Sequence, residues 1–192
     1  LDIQKGARKN LFEKQMETPK ASVLNIISGN CPFNLKNSLL MTMLSQIMDM
    51  VYTETIREKE GASYGVGTMG QLNCYPKEEA IFQIVFDTDP AKREKMEQIV
   101  MSELQKVAQE GPRPEHLAKV KEFLLKKHIE NSKENSYWLG QLDSYYWNNT
   151  DMNTDYEKLV NELTGEDVKN FTKALLGQGN IVEITMTAEG TK

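Results

Sequence analysis

One order of segments limits what this chain can fold into: strand, long helix, strand, strand, helices, strand. Ala21 to Ser28 is rich in β-branched and aliphatic residues and closes on Gly29-Asn30-Cys31-Pro32, a strand ending in a turn. From about Asn37 to Glu60, Leu40, Leu44, Ile47, Met48 and Val51 recur at helical spacing. Asn37 or Ser38 is the expected cap of that helix and Gly61 its expected stop. Tyr64–Cys74 and Glu79–Thr88 read as two strands joined through Tyr75-Pro76-Lys77-Glu78. In the second of them Ala80, Phe82, Ile84 and Phe86 share one face, while Ile81 and Val85 lie on the other. A strand apolar on both sides is expected in the middle of a sheet.

Asp89-Pro90 is a helix start, an acidic cap followed by a proline at the first helical position. The helix behind it carries Met96, Ile99, Val100, Leu104 and Val107 on one face, and Gly111-Pro112 ends it. Pro114 opens a further helix with Leu117, Val120 and Leu124 inward, and another stretch runs from Ser136 to about Trp147. After a polar loop, residues 155–163 read as helical, and Thr164 with Asp167 resembles a capped start for a helix through Leu176. Gly177-Gln178-Gly179 breaks the chain before a last strand, Asn180–Thr187. Residues 10–16 alternate weakly, as a strand or an ordered arm. The sum is an α+β fold: a mostly antiparallel sheet with helices on one face, and a split β-α-β (ferredoxin-like) core with inserted helices. We expect one domain over 17–192, preceded by an arm or strand over 1–16.

Composition narrows the functions. The net charge is −5, with both signs spread along 192 residues, a pattern unlike the concentrated basic face of a nucleic-acid binder. No apolar run reaches the length of a membrane span. The chain starts at Leu1 in a polar run without a signal-peptide pattern, which reads as a fragment of a longer chain. Cys31 and Cys74 are too few for a disulfide framework and read as thiols in or near the core.

Metal and nucleophile signals are missing from the sequence. His116 and His128 lie twelve positions apart and belong to no His-x-x-Glu-His or His-Glu-x-x-His run. Both read as solvated surface histidines, and no metal ligands are expected. There is no Gly-x-Ser-x-Gly elbow and no phosphate loop. The aromatic run Tyr137-Trp138 and Tyr145-Tyr146-Trp147 reads first as packing between inserted helices and second as the lining of a peptide chamber.

One segment carries more: Arg57 through Val66. Arg57 falls at the end of the long helix and Tyr64 at the start of the next strand, with a reversal near Gly61. Both side chains can then reach one point on the sheet's rim. A guanidinium offers a fork of donors to peptide carbonyls, and a phenol offers one more to a developing oxyanion. The plainer alternative stands beside this: an arginine favoured by the helix dipole and a tyrosine in the core.

Ile56-Arg57-Glu58-Lys59-Glu60-Gly61-Ala62-Ser63-Tyr64 resembles the R-x-K-x-x-x-x-Y signature of insulinase/pitrilysin-type zinc peptidases, the inverted zincins. Met16 to Val23, Pro114 to Lys121, Glu134 to Leu139 and Leu163 to Val168 are similar to further stretches of that family, in the same order. The resemblance covers roughly residues 16–188. It implies the fold of LuxS- and processing-peptidase-like metallohydrolases and the role of a C-terminal, non-catalytic domain. Zinc would sit in the parent enzyme, on the His-x-x-Glu-His of a companion N-terminal domain, with no cofactor in this chain. Arg57 would bind the peptide backbone, and Tyr64 would bind it too and stabilise the tetrahedral intermediate. The expected partners are those zinc-bearing domains and a peptide substrate, with no nucleic acid and no membrane segment. Relatives lean towards the bacterial periplasm. A catalytically dead scaffold of the same family, or an unrelated peptide-binding module, is the alternative.

Overall fold

A computed structural model describes residues 4–59 and 65–190, with the side chains of residues 57–59 outside that description. Five strands form one sheet: β1 (Ala7–Lys14), β2 (Ala21–Asn30), β3 (Val66–Asn73), β4 (Glu79–Thr88) and β5 (Asn180–Ala188). Six α-helices cover it: α1 (Leu35–Tyr52), α2 (Arg93–Glu110), α3 (Pro114–Asn131), α4 (Asn135–Asn148), α5 (Tyr156–Glu162) and α6 (Gly165–Gly177).

The sheet order is β1-β5-β2-β4-β3. β2 runs antiparallel to both β4 and β5, and β3 antiparallel to β4, while β1 joins β5 in parallel. β2 and β3 therefore point the same way with β4 between them, and β4 and β5 do the same around β2. This is the split β-α-β arrangement expected from the segment order. The arm becomes an edge strand, paired from Ala7 to Lys14 and exposed throughout.

Strand alternation decides which side chains meet the helices. Ala21, Val23 and Ile27 of β2 and Ala80, Phe82, Ile84 and Phe86 of β4 are buried on the helical side. β4 is flanked by strands on both sides but stands second from the edge. Its other face is open, with Val85 50% exposed. The expected central position is met to the extent that β4 is an interior strand, paired on both edges. Apolar residues on both faces of β4 mark an interior strand whose second face no element of the described chain covers.

α1 lies between the sheet and the outer helices and buries residues around most of its circumference, from Leu39, Leu40, Met41 and Met43 to Tyr52. Asn34 caps it rather than Asn37 or Ser38: the Asn34 carboxamide oxygen accepts from the Asn37 amide at 2.9 Å. Gly70 of β3, opposite Phe82, gives Met41 its space, since a Cβ there would stand 2.6 Å from the Met41 sulfur. Asp89 accepts from the Ala91 amide at the start of a 3-10 turn that leads into α2. Thr164 and Asp167 form the reciprocal capping box at α6.

The two faces of β4 predict opposite sensitivities. Phe82→Ala should cost about 3–5 kcal/mol, the scale for emptying a packed aromatic site, whereas Val85→Ala should stay within about 0.5 kcal/mol in the isolated chain. Urea unfolding measures both, and equal losses would place a cover on the open face.

Candidate functional site

The segment singled out in the sequence connects α1 to β3. Past Tyr52 the helix widens into a π-helical turn, Thr53–Lys59, so the expected helix to Glu60 changes character over its last two turns. Single π-turns are uncommon and collect at functional places. Arg57 lies in this turn by its backbone. Its side chain, and all of residues 60–64 with Tyr64, lie outside the described residues. The described geometry therefore covers the two stems that bracket the pair, and not the pairing of the two side chains.

The first stem is tied at three places. The Tyr52 hydroxyl donates to the Val100 carbonyl at 3.0 Å in the core, and burial, with Glu103 and Asp49 nearby, raises its pKa far above the phenol range. Ile56 is buried. Between them Glu54 reaches the start of α3, where its carboxylate accepts from the Arg113 guanidinium and stands 3.0 Å from His116 Nε2. The hydrogen bond from Arg113 is the main force that holds the Glu54 carboxyl below its ordinary pKa, working against desolvation and aided by His116. A recess of 270 Å³ opens beside this group, lined by Glu54, Glu103, Lys106, Glu110 and Arg113 among others.

The second stem is β3. The Asp49 carboxylate accepts from the Thr68 amide at 2.9 Å and from the Thr68 hydroxyl at 2.8 Å. The beginning of β3 is thereby fixed against α1. Both ends of the connection that carries Arg57 and Tyr64 are thus held to the same rigid helix.

Both histidines correct the sequence reading. His116 is 1% exposed, because the first turn of α3 packs it beneath the π-helical turn. His128 is half-buried, its ring stacked on Tyr156 with centroids 4.1 Å apart and its Nδ1 3.2 Å from the Tyr137 hydroxyl. Sequence offered no signal for either, since their partners Glu54 and Tyr156 are remote along the chain. Among the described residues no three His, Cys, Asp or Glu side chains are grouped as ligands for a metal ion, so this donor set does not fit zinc.

The aromatic run is also corrected in part. α4 has no buried residue, and Leu139 (70%), Tyr146 (79%) and Trp147 (73%) are strongly exposed. The helix is nonetheless well held. Trp138 Nε1 donates to the Ser132 carbonyl at 2.8 Å and the Tyr137 hydroxyl to Asn153 Oδ1 at 2.7 Å, while the Tyr75 hydroxyl meets the Trp147 carbonyl at 3.4 Å. Tyr137 packs against His128 of α3, as expected of a residue between helices, whereas Trp138, Tyr145, Tyr146 and Trp147 are surface within the described chain. Among the described residues no helix is long and apolar enough to cross a membrane.

Known proteins share this outline. The family profile described as the peptidase M16 inactive domain matches residues 5–124. Among curated proteins none matches the chain by sequence. The periplasmic protease PqqL from Escherichia coli superposes with a TM-score of 0.81 at 16% identity, over 97% of this chain and 21% of that one. A peptidase M16 inactive domain from Pseudomonas fluorescens gives 0.73 at 18% identity, over 95% of this chain and 43% of that one. A protease from Helicobacter pylori gives 0.75 at 19% identity, over 96% of this chain and 45% of that one. At these identities the superpositions establish the fold, and the chain spans from about a fifth to less than half of each of those chains.

The Glu54 cluster makes stability depend on acid. A carboxyl with a depressed folded pKa contributes stability that is complete above its unfolded value, near 4.5, and is lost as pH falls through the folded value. Urea midpoints of wild type and Glu54→Gln should therefore differ at neutral pH and converge below about pH 4.5. A gap that persists unchanged at low pH would show that the carboxylate charge is not what ties the turn.

Proposed function

Because the chain belongs to the peptidase M16 family, as its inactive domain, we propose that it is the substrate-binding, non-catalytic domain of a zinc metalloendopeptidase. This is the family to which the insulinase/pitrilysin likeness pointed. In this reading a companion domain of the parent holds the zinc ion and activates the water. Arg57 binds the peptide backbone, and Tyr64 donates a hydrogen bond to the oxyanion that develops on the attacked carbonyl.

The observation that carries the reading is the anchoring of the connection between α1 and β3. A donor aimed at a transition state must be held before the reaction, because reorganising it costs part of what it contributes. Here the π-helical turn bearing Arg57 is tied by Tyr52, Glu54 and Ile56, and the strand beyond Tyr64 is tied by Thr68. Two stems fixed to one helix suit a rigid pair of donors better than they suit a passive loop.

The uncovered surfaces support a companion domain. Val85, Leu24 and Ile184 stand in register across the open sheet face, with Gln83, Ile26 and Val182 in the next row. Val85 on this face is 50% exposed, and α4 exposes Leu139, Tyr146 and Trp147; exposed apolar groups of this kind suit a contact surface. The partner domains, and a periplasmic setting like that of the Escherichia coli neighbour, are part of this proposal.

Two experiments test it. In the full-length parent, Tyr64→Phe should lower kcat by about 100-fold to 1,000-fold, the range for one lost oxyanion donor, with the peptide's KM little changed. An unaltered kcat removes Tyr64 from the chemistry. Replacing Tyr146 and Trp147 with serine should leave the unfolding free energy of this chain within about 1 kcal/mol, yet weaken its association with separately expressed zinc-bearing domains in calorimetry. Undiminished association would show that α4 is not the contact.

A further inference from the structure

We propose that His116 is a positioning residue for substrate binding: from the core it holds Glu54, and through Glu54 the π-helical turn that carries Arg57. The inference rests on the reading of Arg57 as a substrate-binding residue and adds what keeps that residue in place.

The first argument is the cost of the histidine. An imidazole at 1% exposure is an expensive core residue unless its nitrogens are bonded. His116 Nε2 stands 3.0 Å from Glu54 Oε1, while Nδ1 is buried without a partner. Packing alone would be served better by a leucine, as at neighbouring Leu117, which packs against the core. The ring is therefore explained by what its Nε2 meets. Nε2 thus lies within hydrogen-bond distance of two charged groups at once, the Glu54 carboxylate and the Arg113 guanidinium. The Arg113 guanidinium, 2.7 Å from the same Nε2, donates to the other oxygen of Glu54. Two side chains from the start of α3 thus meet one carboxylate.

The second argument is what that carboxylate belongs to. Glu54 lies in the first turn of the π-helical segment, three residues before Arg57. A π-turn is less favourable than α-helix and persists where the surroundings hold it. If it relaxed, every following residue would rotate about the helix axis, and Arg57 would move with them. Ile56 in the core holds one side of the turn and the Glu54–His116–Arg113 group holds the other. A displacement on the order of 1 Å is enough to cost about 100-fold in a positioned site.

The test is a double-mutant cycle in the full-length parent enzyme, assayed on an internally quenched peptide. His116→Leu should lower kcat/KM about 10-fold to 100-fold, chiefly through KM. In an Arg57→Ala background the same change should do almost nothing further. His116→Gln, which keeps a donor near Glu54, should restore most of the loss. Glu54→Ala removes the same tie from the solvent side and should reproduce the effect, which carries the test if His116→Leu fails to fold. Equal losses with and without Arg57 would overturn the proposal, as would a silent His116→Leu beside a damaging Arg57→Ala, an outcome that leaves the substrate-binding reading standing. A silent Arg57→Ala overturns that reading itself and the proposal with it.

Discussion

The structure depends on the burial of α1 between the sheet and the outer helices. Met43, Leu44, Ile47 and Met48 are fully enclosed, and the helix touches β3, α2, α3, α5 and α6. Each fully buried side chain of this kind contributes about 1.5–3 kcal/mol of apolar transfer, so the helix is the axis on which the other elements are registered. Its sequence reflects this. Methionine fills irregular space without branching, and Gly70 removes the carbon that would collide with Met41. A rigid central helix has a further consequence. The segment with Arg57 continues directly from its last turn and inherits its position.

The end of α1 is where the fold stops optimising regularity. The α-helix gives way to a π-turn, a charged group is brought to the start of α3, and a histidine is taken into the core. Local violations of the usual rules collect where structure serves function. The span that matches the peptidase M16 inactive domain, residues 5–124, contains the connection from α1 to β3 and the start of α3.

The surface tells a complementary story. α4 is pinned at both ends by hydrogen bonds from Trp138 and Tyr75, yet none of its residues is fully buried. The sheet keeps aliphatic rows on its open side. Both leave apolar side chains open among the described residues, and the matched chains are about two to five times as long as this one. Tyrosine and tryptophan in this region serve to hold α4 in place as much as to supply area, as the Tyr137 hydroxyl beside His128 Nδ1 and Asn153 Oδ1 shows.

Local sequence by itself determined the elements and their order. Period-two runs at Ala21–Ser28 and Glu79–Thr88, the Asp89-Pro90 start and the Thr164–Asp167 box each act within a few residues, and all four recur in the fold. The split β-α-β topology results from that order, because parallel strands separated by a helix leave room for an antiparallel one between them. The roles of Arg57 and Tyr64 remain a proposal drawn from the sequence. Tertiary structure alone decided which surfaces are covered. Val85 and Trp147 look like core residues in a window of ten, and only the absence of an opposing element among the described residues makes them surface. It alone took His116 inside, because Glu54 meets it from 62 residues away, and no local pattern encodes a contact between groups so distant along the chain.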